Sequence, residues 1–327
     1  MSSEEVIIDA KTIQELQLHD AAISDVDMEI TAKQYLMTRD IFAARQKTIE
    51  KIPSFWAVTL DNASTELEAA VTNSDLEVFT NCLTAIEVVR PEVPASAKTT
   101  DVGLDKFGEP RTLTIRFYFK ENEWFSDSLL EKTLYFRYGK DGTTGLVSEP
   151  VKINWKPGKD LTQGLTDLAL AFWQAQKATP SQQLDSVLTN EQRHARDAAA
   201  KEMPAYKELA KKVDENVEGL ISFFNFFSYR GRWISAAEHA AARADKVAKR
   251  QAALAGQEVK EDDEDEDDDD EDFTEEAVET FPAGHEVAVT IAEDIYPNAI
   301  EYFMGNTIDS DIDLDDDDDD EDEEMEG

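Results

Sequence analysis

Residues 9–50 read DAKTIQELQLHDAAISDVDMEITAKQYLMTRDIFAARQKTIE, with neither proline nor glycine anywhere in the run. Leu16, Ile23, Ile30, Met37 and Ala44 recur every seven residues, and Ile13, Val26 and Ile41 fall on neighbouring turns. Seven-residue spacing keeps one seam of a long helix facing a partner. At 1.5 Å per residue the run predicts a helix of roughly 60 Å, longer than a compact domain of this size can cover. Asp20, Asp27 and Gln34 interrupt the other half of the seam. Two readings follow: a helix of an intramolecular bundle, or a dimerisation helix over 9–51 whose contacts are Leu16, Ile23, Ile30, Met37 and Ile41. Pro53 stops it, because proline cannot continue the hydrogen-bond pattern and restricts the residue before it.

At 327 residues the chain is long enough for one large domain or two ordinary ones, and beyond Pro53 the periodicity changes between helix and strand. IPSFWAVTL (52–60) is of buried type. Ser74 with Glu77 forms a capping box, and Leu76, Phe79, Leu83 and Ile86 follow at helical spacing before Pro91. From Arg111 the period becomes two. Leu113, Ile115, Phe117 and Phe119 alternate with Thr112, Thr114, Arg116 and Tyr118, and Leu134, Phe136 and Tyr138 alternate ahead of a turn at Asp141-Gly142. Val151, Ile153 and Trp155 form a third run, and short connections make an antiparallel meander the economical arrangement. Leu161–Gln176 and Ser186–Leu220 read as helical. Ile221–Tyr229 carries four phenylalanines and reads as buried, and Phe273–Asn306 looks ordered, with Val287, Val289, Ile291 and Ile295 apolar.

Charge dominates the composition of the 327 residues. There are 72 acids against 32 bases, a net −40, with 41% apolar residues to supply a core. Glu261–Asp272 is acidic throughout and Asp309–Gly327 holds 14 acids, so removing these 26 leaves 46 acids against 32 bases, or −14. The body is acidic in its own right. An extended run of carboxylates carries about one charge per 3.3–3.6 Å, close to the roughly 3.4 Å phosphate spacing of a DNA strand. It should attract basic proteins and repel nucleic acid and anionic membranes. Like charges without apolar residues do not fold alone, so the segments 1–8, 259–272 and 307–327 are expected to be disordered. Arg230, Arg232, Arg243, Lys246, Lys249 and Arg250 read either as an import signal or partner contact, or as the charged face of an amphipathic helix.

Catalytic patterns are absent. Cys82 is the only cysteine, which excludes a disulfide within the chain and a cysteine-based zinc site. His19, His194, His239 and His285 lack metal-ligand spacing. Gly158-Lys159 fails the phosphate-loop pattern, having Ile153 and Asp160 where glycine and a hydroxyl are required. No cofactor is expected. Met1–Ala10 has acids and no bases, unlike a signal or transit peptide, and no apolar stretch is long enough to span a membrane.

Five motifs then point to one family. Ile52-Pro53-Ser54-Phe55-Trp56 follows the long helix; Phe117–Phe125 reads FYFKENEWF; Ile153–Leu161 reads INWKPGKDL; Ser222–Phe227 reads SFFNFF; Ile291–Phe303 reads IAEDIYPNAIEYF. In this order they resemble the nucleosome assembly proteins, and INWKPGKDL resembles the SET-type branch, including fungal members with an insertion after the phenylalanine box. The resemblance implies an α+β fold and a headphone-shaped homodimer. Its long helices pair, and each chain carries an α/β "earmuff" lobe with an antiparallel sheet (52–258 and 273–306). It implies a non-enzymatic, nuclear histone chaperone able to shuttle to the cytoplasm. Core histones would be its clients, held by Glu293 and Asp294 of the body and by the acid runs, at Glu261, Asp262, Asp263, Asp267 and Asp268, and at Asp315, Asp316, Asp317 and Asp318. A regulatory scaffold that inhibits a histone acetyltransferase or phosphatase is the alternative, and a low-affinity calcium buffer a third class.

Overall fold

The computed structural model describes residues 9–67, 70–215, 221–257 and 278–305. The segments expected to be disordered, and all the candidate acids of the two runs, lie outside the described residues. Helix α1 spans Ala10–Ile49, 40 residues. Asp9 caps it, accepting from the Thr12 N–H at 3.0 Å and the Thr12 hydroxyl at 2.7 Å. The chain turns at Pro53 and at Ser54, whose φ of 56° is left-handed, into α2 (Phe55–Asn62).

Helix α3 (Asn73–Cys82) does carry a capping box, but it is Thr72 with Asp75 rather than Ser74 with Glu77. The Asp75 carboxylate is fully buried and accepts four hydrogen bonds. Two come from the Thr72 N–H and hydroxyl (2.8 and 2.7 Å), and two from the Ser222 hydroxyl and Phe223 N–H (2.5 and 2.9 Å). That second pair ties the helix start to the phenylalanine box and selects Asp75 over Glu77. The helical reading through Leu83 and Ile86 is also corrected. Strand β1 covers Leu83–Val89, because the β-branched Thr84, Ile86, Val88 and Val89 gain a partner strand, and that pairing outweighs local spacing.

β1 heads a four-stranded antiparallel sheet in the order β1-β2-β3-β4, with β2 at Leu113–Phe119, β3 at Leu129–Tyr138 and β4 at Thr144–Ser148. Ile86 faces Phe117, Ile115 faces Lys132 and Leu134 faces Ser148. The expected strand at Val151–Trp155 is absent; Trp155 makes only an isolated bridge to Phe125. Its place beside β3 belongs to β4, and the Ser148 N–H on the outer side of β4 is taken by the Arg230 carbonyl at 2.9 Å. Val151 instead donates to the Phe227 carbonyl.

The core lies between the sheet and the helices. Phe223, Phe224, Phe226 and Phe227, on a 3-10 turn at Phe223–Ser228, are fully buried; Ile221, read as buried with them, is exposed. Phe223 meets Phe79 and Phe117 at 5.5 and 5.6 Å between ring centres. Lys132 points into this core on the apolar face of β3. Its ammonium spends all three protons on the carbonyls of Glu149, Phe227 and Tyr229, at 2.8, 3.0 and 2.7 Å, and burial holds its pKa well below the ordinary value.

Helix α4 runs Leu165–Lys177. The helical stretch expected at 186–220 is two helices, α5 (Asn190–Lys201) and α6 (Pro204–Glu215), divided at Pro204. Helix α7 covers Ala236–Leu254. The last described segment forms α8 (Gly284–Thr290), a π-helical turn at Ile291–Ile295 and α9 (Ala299–Met304). Its Val287, Ile291, Ile295 and Tyr302 join the same core as Phe55 and Trp56.

Two outcomes are expected. Asp75→Ala should cost about 3–5 kcal/mol in denaturant unfolding, because it strands buried donors around a lost charge. His239 accepts from the Tyr138 N–H through Nδ1 at 3.0 Å. Burial, then Arg137 and Arg243, push its pKa down to about 4, opposed by Glu109. With an unfolded value near 6.5, the unfolded chain binds the extra proton between these limits. Stability contributed by neutral His239 is therefore complete above about pH 6.5 and falls as pH drops toward 4. His239→Gln should flatten that part of the unfolding-midpoint profile.

Candidate functional site: the two faces of the long helix

Helix α1 carries two stripes. Met28, Tyr35, Phe42 and Ile49 share one, none of them exposed, and Ala32 beside them is fully buried. This stripe packs on the chain's own lobe. Ala32, Tyr35 and Leu36 form a small cluster with Val93 and Phe107. Phe42 meets Tyr296 at 4.9 Å. Arg45 packs against both rings, 4.5 Å from Phe42 and 4.8 Å from Tyr296. Its guanidinium donates to the carbonyls of Pro297 and Tyr296 at 2.9 and 2.7 Å, and burial lowers its pKa. Nearer the start, Gln14 donates to the Gln257 carbonyl and Asp25 pairs with Arg250 of α7.

The second stripe is the seam read from the sequence, and among the described residues it stands largely exposed. Ile13, Leu16, Ile23, Val26, Ile30, Met37 and Ile41 are 39–64% exposed. At about 1.5–3 kcal/mol for fully burying one such side chain, seven half-exposed ones represent very roughly 5–10 kcal/mol per chain. Among the described residues no element of the lobe buries them. The lobe takes the stripe on the other side of the helix and leaves this one to solvent, on a scale that marks an interaction surface. The first stripe was also legible, since Met28, Tyr35, Phe42 and Ile49 are themselves seven apart.

The two body acids behave differently from one another. Glu293, on the π-helical turn, is half exposed and pairs with the buried Arg90 at 2.5 Å. Asp294 is committed internally, accepting from the Tyr302 hydroxyl at 2.6 Å and the Asn298 amide at 2.8 Å, which secures the start of α9. The structure brings Glu293 to a cleft of about 730 Å³ between α1 and β1; the seam residues lie on another side of α1.

The basic residues do not form a single patch. Arg230 stacks on Trp173 at 4.6 Å, Arg232 pairs with Asp141, Arg250 with Asp25, and Lys246 sits over Tyr138. They serve the packing of α7 and its approach. Among the described residues no cluster of three or more His, Cys, Asp or Glu is placed to hold a metal, and no helix is long and apolar enough to cross a membrane.

An α+β lobe with a long helix whose apolar seam is unfilled defines a class of protein built around that helix. The family described as "Nucleosome assembly protein (NAP)" matches residues 3–306, and the chain belongs to it. NAP1-related protein 1 of Arabidopsis thaliana is 28% identical over 166 residues, 49% of this chain and 56% of the relative. Protein SETSIP of Homo sapiens is 26% identical over 140 residues, 43% of this chain and 41% of the relative; its name agrees with the branch suggested by INWKPGKDL. The chain spans about half the length of the curated relatives it matches. Among solved structures, Ccp1 gives a TM-score of 0.49 at 21% identity over 92% of this chain and 98% of that one. A malaria parasite nucleosome assembly protein gives 0.39 at 15% over 90% and 95%.

The seam gives a direct expectation. Ile23→Glu with Ile30→Glu should leave the lobe folded by circular dichroism and yield a single-copy mass by light scattering. A mass of two copies would place the pairing surface elsewhere.

Proposed function

We propose that this protein is a homodimeric histone chaperone. Two copies pair through the α1 seam, and the paired frame presents carboxylates to core histones, shielding their charge until DNA competes for them in nucleosome assembly. The observation that carries the reading is the unfilled seam on a chain of net charge −40. The first feature calls for a second copy and the second for a cationic client. Family membership supports both.

In this reading α1 (9–51) is the dimerisation element, and 52–258 with 273–306 form the histone-binding lobe. A single hydrophobic core containing both Phe55 and Tyr302 supports treating the two lobe segments as one unit. The runs at 259–272 and 307–327 supply most of the attraction, at Glu261, Asp262, Asp263, Asp267, Asp268 and Asp315 to Asp318. Glu293 is the better of the two body contacts, because its carboxylate remains half exposed. Asp294 contributes by holding α9. A chromatin client calls for residence in the nucleus, with cytoplasmic shuttling. The charge disfavours direct binding to nucleic acid or to anionic membranes, and the chemistry needs no cofactor and no catalytic residue. Occupying the basic substrate groove of an acetyltransferase or phosphatase would be a secondary use of the same carboxylates.

Charge-based holding is screened over roughly 8 Å at physiological ionic strength. Histone affinity measured by fluorescence titration should therefore fall at least about tenfold between about 0.1 M and 0.5 M salt. Deleting Asp309–Gly327 should weaken binding while the dimer persists. Unchanged affinity after removing both acid runs would refute the mechanism.

A further inference from the structure

The longest connection within the sheet, residues 90–112 between β1 and β2, returns to α1. Its Val93 and Phe107 cluster with Ala32, and Ala97 packs on that cluster. Beyond it the loop climbs the flank of the helix. The Gly103 N–H donates to the Glu29 carboxylate at 2.9 Å, which also accepts from Lys33 at 2.7 Å, and Lys33 lies over the Phe107 ring at 5.8 Å. Successive residues turn about 100° around a helix axis. Glu29 and Lys33 therefore lie on the flank that joins the buried Ala32 to the exposed seam at Val26 and Ile30. The tip of the loop is locally braced. The Asp101 carboxylate accepts from the Lys98 N–H at 2.8 Å, the Asp101 N–H donates back to the Lys98 carbonyl at 3.0 Å, and the Lys106 N–H donates to the Gly103 carbonyl at 3.1 Å. Val102 sits between these two turns. It is 77% exposed, more than any other large apolar side chain among the described residues.

We propose that the loop 98–106 is a second dimer contact, in which Val102 of each protomer enters the furrow between the paired α1 helices and packs on the middle of the partner's α1. A single exposed valine is ordinary on a protein surface; the position of this one selects its occupant. The exposed seam runs from Ile13 to Ile41, so its midpoint is residue 27, and Glu29, which holds the loop, lies about 3 Å along the axis from it. Two copies that bury the whole seam bring their midpoints together whether the helices run parallel or antiparallel. Val102 then stands beside the centre of the partner's helix in either case. The charges around it do not oppose burial. Glu29 is spent on Lys33 and the Gly103 N–H, Lys106 on Asp105, and Asp101 on the Lys98 N–H. The tip is also shaped in advance, so docking costs little chain ordering. Gly103 has φ +95°, and a Cβ there would meet the Asp105 carboxylate, so the bend beside Val102 depends on glycine.

The contact gives the dimer something the seam alone does not. Two helices joined along one stripe can roll about each other, and the lobes would roll with them. A loop that joins two strands of one protomer's sheet and presses on the other protomer's helix stops that roll, and holds the two lobes at one separation for a client. The proposal rests on the preceding reading in taking the seam as the pairing surface, and needs neither histones nor the acid runs.

The test uses the full chain. Val102→Cys, labelled with a benzophenone maleimide, is left to exchange with isotopically heavy unmodified copies and then illuminated. Cys82 stays unlabelled, because it is buried and its thiol is pushed up to about 11. The expected result is light-to-heavy cross-links, read by mass spectrometry, that map to the partner's α1 around Val26 and Ile30 and disappear when Ile23→Glu and Ile30→Glu are added. Val102→Asp should also speed subunit exchange at least about tenfold, followed by energy transfer between copies labelled at their N-termini. Val102→Leu should leave exchange slow, and circular dichroism should show both variants folded. Cross-links that are absent or confined to the loop's own copy would overturn the proposal, as would exchange indifferent to Val102→Asp. In those cases an unmodified protein that sediments as two copies leaves the pairing reading standing. A single-copy mass refutes that reading and this proposal together.

Discussion

Helix α1 has more apolar surface than the described residues of its own chain cover, and the architecture is organised around that excess. Packing allows the lobe to take one stripe, where Ala32 fits against Val93 and Phe107 and Phe42 and Ile49 join the main core. A helix is curved, so covering one stripe leaves the opposite stripe uncovered. Residues two positions apart, such as Ile30 and Ala32, sit about 200° apart around the axis. One is more than half exposed and the other fully buried. The lobe therefore fixes the helix without satisfying it.

Anchoring is polar as well as apolar. Arg45 closes two carbonyls at the turn preceding α9 and packs against two rings, so the angle between helix and lobe is held at one end by directional contacts. Asp25 with Arg250, and Gln14 with the Gln257 carbonyl, hold the other end through α7. A frame fixed at both ends delivers whatever is attached to it in a defined place. The described body also spends several charges internally. Asp75, Glu238 and Lys132 are buried and fully engaged, which separates carboxylates that build the fold from those left for a partner.

Much of this was legible in the sequence, and the failures have physical causes. The seam, the end of α1 near Pro53, the β2–β3 alternation and the phenylalanine box follow from periodicity and composition. Strand β1 was hidden because Leu76, Phe79, Leu83 and Ile86 fit a helical period while the chain changes from helix to strand between Cys82 and Leu83. All four still face the core, so burial was read correctly and backbone state was not. The strand expected at Val151–Trp155 has the right alternation, but Thr144–Ser148 follows the Asp141-Gly142 turn and reaches β3 first. Thr72 with Asp75 was missed because aspartate replaces the usual glutamate, and its extra partners, Ser222 and Phe223, are some 147 residues away. Of the candidate acids, only the different fates of Glu293 and Asp294 are visible in the structure, and they depend on Arg90 and Tyr302, distant in sequence.

The central claim is that a second copy of the same chain completes α1. Sedimentation equilibrium of the unmodified protein, over a wide concentration range, reads this directly. The account predicts a mass of twice 36.7 kDa that persists on dilution and in high salt, because an apolar seam is not screened by ions. A mass of 36.7 kDa at all concentrations would contradict it and leave the exposed seam unexplained.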